Sequence, residues 1–297
     1  MSGGFLTALA VSRGDSAGMN NDTTLITGAA SGIGMHLAHE FARNGHPLVL
    51  NAPDAAELQV VAAEIRAAHG VAVQILPGDL EQPETAEAIF GQLQRAGMAI
   101  DILVNNAGQG FGGKWWEMPV EQDLAMVRLN IEALLRMTKL FLPPMLARGR
   151  GRLLTTALVA GFEAGSLLAV DHASKAFVLS WCEALAAELA DTPITVSALC
   201  PDPADTDFFP QAGMVATRAF SKAILMAPQD VAKAGYEGLM KKELFIVPGG
   251  MNKVPVAARR ILTEDAQARF NEKFYEEVPA DEGSRIPGEF AMAAARR

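Results

Sequence analysis

A chain of 297 residues, half of them hydrophobic, is long enough to bury one large core. Its net charge of -9, with no Lys/Arg cluster longer than a pair, excludes the basic footprint that a nucleic acid or an anionic membrane surface requires. No continuous apolar run reaches the roughly 18 residues of a membrane-spanning helix, so the expected setting is the cytoplasm and the expected partners are a small-molecule substrate and copies of the same chain.

In chain order, residues 1–21 carry a short apolar patch without a preceding basic segment and read as a disordered tail, with Met19 a candidate translation start. From there, short β-rich runs at 23–27, 47–51, 71–76, 100–105, 151–156, 194–200 and 244–247 each read as a buried parallel strand. Helix-period runs lie between them, clearest at 35–45, 55–70 and 120–149, the last stopping at Gly149 as a helix C-terminus should. This alternation predicts right-handed βαβ crossovers and an α/β fold: a Rossmann-like doubly wound parallel sheet of about seven strands with helices on both faces, in a single domain over 22–250. Residues 203–227 interrupt the last crossover with Pro, Gly, Phe and Met, which suits a lid over an apolar pocket or, equally, an ordinary surface insertion. The charged C-terminal extension, 251–297, reads as a short helix followed by disorder. Cys182 and Cys200 lie in apolar segments and read as small buried hydrophobes in a reducing compartment.

The first strand runs into "TGAASGIG", where Gly28, Gly32 and Gly34 allow a tight turn and a close approach of backbone N–H groups to a pyrophosphate at the positive end of the next helix. "PGDL" with Asp79 follows the third strand, and "NNAG" at 105–108 ends the fourth, small enough for the chain to pass close to a ribose. At the end of the second strand, Ala52 and Pro53 are followed by Asp54 and Glu57 with no basic residue, so a 2′-phosphate would lack a counter-charge and NAD(H) is favoured over NADP(H). Asp54 is within reach of a ribose diol, and is also placed to cap the following helix.

With "TGAASGIG", "GDL", "NNAG", Asn130 in "VRLN", "ASKAF" and "ALCP…T" in this order, the chain resembles the short-chain dehydrogenase/reductase family over roughly residues 22 to 250. The resemblance implies Gly28, Ser31, Gly32, Ile33 and Gly34 around the pyrophosphate, Asp79 and Leu80 at the adenine, Asn106, Ala107 and Gly108 along the ribose, and Thr206 at the nicotinamide carboxamide. It also implies Lys175 and Asn130 in a proton relay, and a homodimer or homotetramer formed through the helices that contain them.

The same resemblance exposes three departures. A Tyr four residues before the Lys is replaced by Asp171, a Ser on the fifth strand, counted back from "AGF" at 160–162, is replaced by Leu158, and a Gly after the sixth strand is replaced by Asp202. Thr155 and Thr156 lie too far back on the strand to restore the lost hydroxyl. A phenol begins near a pKa of about 10 and an Asp near about 3.9, and Lys175 is expected to push Asp171 lower still, holding it as an ion-paired carboxylate unable to donate. Its reach is shorter than a phenol's by roughly 3 Å on bond-length counting. Hydride transfer to or from a hydrophobic carbonyl or alcohol compound would then take its proton from water or a substrate group, with Lys175 and Asn130 organising it. Two alternatives stand beside this reading: a redox-neutral lyase or isomerase with Asp171 as base, raised in pKa by its apolar side, and a catalytically inactive nucleotide-binding protein. His172 points about 100° away from Asp171 and Lys175 on a helix and is expected against a neighbouring helix or a subunit interface. Asp202, Asp205 and Asp207 read as a polar turn, with no metal expected. Trp115 and Trp116 are candidates for a substrate mouth, for packing or for an interface.

Overall fold

Every residue of the strands Thr24–Thr27 (β1), Leu48–Asn51 (β2) and Ile102–Asn105 (β4) is buried, which is what near-continuous apolar runs produce when helices cover both faces of a sheet. With Val73–Ile75 (β3), Gly151–Thr156 (β5), Ile194–Leu199 (β6) and Phe245–Ile246 (β7) they form one seven-stranded sheet in the order β3-β2-β1-β4-β5-β6-β7. All pairings are parallel. The computed structural model describes residues 22–158, 165–202, 204 and 225–249. The N-terminal tail, nearly all of the 203–227 insertion and the 251–297 extension lie outside them.

Successive strand residues point to opposite faces and build two cores. Leu25, Val49, Leu103, Leu153 and Val196 pack against the helices Pro83–Arg95 (α3), Leu134–Arg148 (α5) and Ala169–Glu188 (α6). Strand residues of the opposite orientation, Ile26, Leu50, Val104, Leu154 and Leu199, pack against Gly32–Arg43 (α1), Ala55–His69 (α2) and Pro228–Met240 (α7). A one-residue slip of any strand would exchange the two sets, so the register is fixed by side-chain fit on both faces at once. Cys182 and Cys200 are free thiols fully buried in the first core.

The chain leaves β1 toward one edge of the sheet and returns to β4 on its other side. The crevice between their carboxyl ends is therefore the topological switch point at which such sheets bind ligands. The predicted 120–149 helix is a rod with an interruption: Val120–Val127 (α4), a π turn at Arg128–Ala133, then α5, which ends on Gly149 with a left-handed φ of 67°. The extra residue of the π turn rotates α5 relative to α4, and Asn130 sits inside that turn.

Candidate active site

Thr27, the last residue of β1, organises the crevice. Its hydroxyl accepts from the backbone N–H groups of Asn106 and Ala107, both at 3.0 Å, and donates to the Val104 carbonyl at 3.3 Å. The Asn106 side-chain amide donates to the carbonyls of Thr27 (3.1 Å) and Gly28 (3.3 Å) and accepts from Thr156 Oγ1 (3.0 Å). The ends of β1, β4 and β5 are thus tied by one Thr and one Asn. Gly28 has a φ of 64°, and a Cβ there would meet Ala107 Cα at 2.9 Å; a Cβ on Gly34 would lie on the Gly28 carbonyl oxygen. These glycines let the turn, the "NNAG" loop and α1 close on one another.

Ser31 is exposed at the N-cap of α1 and its side chain makes no capping bond. The first-turn amides of α1 therefore remain without a side-chain cap at the positive end of the helix dipole, a donor set that fits the pyrophosphate of a dinucleotide. Ile33 packs partly against the second core. Across the crevice, Asn51 donates to the carbonyls of Leu76 and Gly78 and joins the ends of β2 and β3. Asp54 Oδ1 accepts from the N–H groups of Ala56 (2.7 Å) and Glu57 (3.0 Å), so the carboxylate caps α2. Asp79 Oδ1 accepts from the Glu81 N–H at 2.9 Å, while the Leu80 side chain is buried in the first core.

The catalytic-half residues come together around Gly108. A methyl group on Gly108 would sit 3.2 Å from both Asn130 Oδ1 and Lys175 Nζ. Asn130 is locked by two reciprocal bonds to the backbone of Gln109, accepting from its N–H and donating to its carbonyl, both at 2.9 Å. It also donates to Ser174 Oγ at 3.0 Å, and Ser174 donates to the Asp171 carbonyl at 2.7 Å. On the far side, Gln109 Nε2 donates to Glu81 Oε1 at 2.8 Å, and Arg128 pairs with Glu81 at 3.6 Å. Arg128 and Ser174 lie inside "VRLN" and "ASKAF", and Glu81 and Gln109 directly follow "GDL" and "NNAG", yet the sequence assigned none of the four a role. Their roles arise from a loop and two helices meeting in space.

Asp171 is 1% exposed and Lys175 7%. The expected ion pair is not formed: Lys175 Nζ lies beside Gly108 and Asn130, the ion pairs of the described residues do not include one with Asp171, and Asp171 Oδ1 has no hydrogen-bond partner. The expected depression of the Asp171 pKa is reversed. Burial raises it above the ordinary 3.8, outweighing the opposing pull of Lys175 and of His172. Burial also lowers the Lys175 amine below the ordinary 10.5, against the pull of Asp171.

Leu158, half-buried just past β5, brings no hydroxyl, and Thr155, two strand positions before Ala157, is buried on β5. His172 is buried, with its imidazole against Gly165, where a Cβ would fall on the ring. Trp115 and Trp116, in the short 3-10 helix Trp115–Glu117, are 60% and 76% exposed and so take no part in core packing. Their loop is tied to the lead-in of α6 by the Gly113 N–H donating to the Leu167 carbonyl at 2.8 Å. Asp202 is described, but Thr206, Asp205 and Asp207 lie outside the described residues, as does the 160–162 anchor. No group of three or more metal-ligating side chains occurs among the described residues.

Comparison with known proteins identifies the same architecture. The family described as short chain dehydrogenase matches residues 22–214. The 1-deoxy-11-beta-hydroxypentalenate dehydrogenase of Streptomyces exfoliatus is 34% identical over 229 residues, 75% of this chain and 81% of that protein. A short-chain dehydrogenase from Sphingobium yanoikuyae, solved in complex with NADPH, is 32% identical with a TM-score of 0.72, over 81% of this chain and 94% of its own. A short chain dehydrogenase/reductase from Burkholderia phymatum, solved with NAD, is 25% identical with a TM-score of 0.75, over 82% and 94%. All three carry dehydrogenase names, which leaves the redox-neutral and inactive readings without support.

Proposed function

The chain belongs to the short-chain dehydrogenase/reductase family and is an NAD(P)-binding oxidoreductase, and from that premise we propose that it interconverts a fairly hydrophobic carbonyl compound and its alcohol, with NAD(H) as the preferred cofactor, at the cluster of Asn130, Asp171 and Lys175. The observation that carries this reading is the convergence of Lys175 Nζ and Asn130 Oδ1 on Gly108, one residue beyond the "NNA" segment that Thr27 fastens to β1. When bound, the nicotinamide supplies or accepts the hydride. Gly28, Ser31, Gly32, Ile33 and Gly34 would hold the pyrophosphate, Asp79 and Leu80 the adenine, Asn106, Ala107 and Gly108 the ribose, and Thr206 the carboxamide. Asn106 and Ala107 serve through backbone shape, since the amide of one and the N–H of the other are already engaged. Lys175 then presents a cation toward the ribose side of the crevice, and Asn130 fixes the loop that lies against it.

The preference for NAD(H) rests on the turn after β2. Ala52 is buried, Pro53 and Asp54 are exposed, and no cation stands in that turn to meet a 2′-phosphate. The two solved relatives hold one cofactor each, NADPH and NAD, so the choice depends on this turn. A hydrophobic substrate is supported by Leu158 at the end of β5 and by the exposed Trp115 and Trp116 beside the lead-in of α6. Exposed Phe177 on α6 and Leu146 on α5 support self-association through these helices, as a homodimer or homotetramer. Calorimetric titration with NAD⁺, NADH, NADP⁺ and NADPH tests the cofactor reading: at least tenfold tighter binding of NAD(H) is expected, and equal or tighter binding of NADP(H) would overturn the preference.

A further inference from the structure

We propose that Asp171 is the proton donor of the reaction, acting as a neutral carboxylic acid whose O–H finds its partner in the substrate's carbonyl oxygen. This assignment rests on the oxidoreductase reading above. Three observations lead to it. Asp171 occupies the first turn of α6, one turn before Lys175, and is 1% exposed. Its Oδ1 has no hydrogen-bond partner, so a polar atom buried in the candidate site is left for a ligand to satisfy. The nearest cation on its own helix is turned elsewhere, toward Gly108 and Asn130.

A carboxylate in that position would be an unpaired charge held out of water, the most costly state a side chain can adopt, and protonation removes the cost. Of the elements packed against α6, α4 carries Glu121 and Asp123 and the π turn carries Arg128 and Glu132; the charges that act on Asp171 are Lys175 and His172, and burial outweighs both. Leu158 has the complementary effect. Just past β5, where the family resemblance implies a Ser, stands an apolar side chain, so no second hydroxyl competes for the substrate oxygen. Because a carboxyl reaches less far than a phenol, the substrate oxygen must approach α6 itself.

In the reducing direction the carbonyl carbon gains a C–H bond from the nicotinamide-borne hydride. The C=O π pair moves onto oxygen, a new O–H bond forms there as the Asp171 O–H breaks, and Asp171 is left as carboxylate. A solvent proton restores the acid once the alcohol leaves. The sum is carbonyl compound, reduced nicotinamide cofactor and one proton giving alcohol and oxidised cofactor, and the reverse direction begins from the carboxylate as base.

Infrared difference spectroscopy of the cofactor-free chain, carrying ¹³C-labelled aspartate and compared with Asp171→Asn, reads the protonation state without turnover. The expected result is the C=O stretch of a carboxylic acid at neutral pH that vanishes in Asp171→Asn; carboxylate bands alone at neutral pH overturn the assignment. In carbonyl reduction, Asp171→Asn is expected to lower kcat by at least about 100-fold with KM held within about threefold. Wild-type kcat should fall as pH rises through the Asp171 titration, and a flat profile overturns the role. If Asp171→Asn does not fold, the wild-type spectrum and pH profile decide alone. A chain that binds none of the four nucleotides overturns the oxidoreductase reading and the role with it, whereas a cofactor-binding chain with an ionised Asp171 overturns only the role.

Discussion

Desolvation raises the Asp171 pKa against the pull of Lys175 and His172, and the balance has a signature in stability. The folded-state pKa lies above the unfolded value near 3.8, so between the two the native state binds more protons than the unfolded state. Stability contributed by the neutral acid is therefore complete below about pH 3.8 and is lost as pH rises through the raised value, by at most about 1.4 kcal/mol per pH unit for one proton. Lys175 acts with the opposite slope on the alkaline side, because its folded pKa is lowered from 10.5 and stability returns as pH climbs toward that value. Thermal melts of wild type and Asp171→Asn should thus diverge in favour of the variant from about pH 4 upward. Parallel melting curves across that range would mean that the carboxyl is as well solvated folded as unfolded. The two buried thiols give no such signal near neutrality, since burial pushes both Cys182 and Cys200 up to about 12.

At the scale of elements, the site is a junction held by side-chain amides. The path from Asp79 through Glu81 and Gln109 to Asn130 and Ser174 joins the loop after β3, the loop after β4, the π turn and α6. Glu81→Ala and Gln109→Leu each break one link, and because the two side chains touch, their effects should not add. A double-mutant cycle on kcat is expected to show a coupling of about 0.5 to 1.5 kcal/mol, with Gln109→Glu failing to restore it because two carboxylates then face each other. Additive losses would show that the link does not position Asn130. This junction was only half legible beforehand. Asn130, Lys175 and the glycines stand in a recognisable order, but the π turn is invisible to a reading based on a 3.6-residue period. The partners of Asn130 lie 21 and 44 residues away.

At the scale of the whole molecule, the sheet order places the described residues of the candidate site around the carboxyl ends of the strands, and α5 and α6 keep exposed apolar side chains such as Leu146 and Phe177. Sedimentation equilibrium is expected to give a dimer or tetramer, shifted toward monomer by Phe177→Asp; a monomer at all concentrations would remove the role suggested for these helices. No helix among the described residues is long and apolar enough to cross a membrane.

The sequence by itself determined the seven strands, their parallel arrangement and the glycine turn, because buried strands, helix punctuation and motif order are legible along the chain. Only the tertiary structure decided the electrostatics. From the sequence, Asp171 and Lys175 are neighbours on a helix and should pair. Packed together, Lys175 turns to Gly108 and Asn130 while Asp171 is sealed from water with an oxygen unsatisfied. Desolvation depends on every atom around a group, and no spacing along the chain encodes that sum.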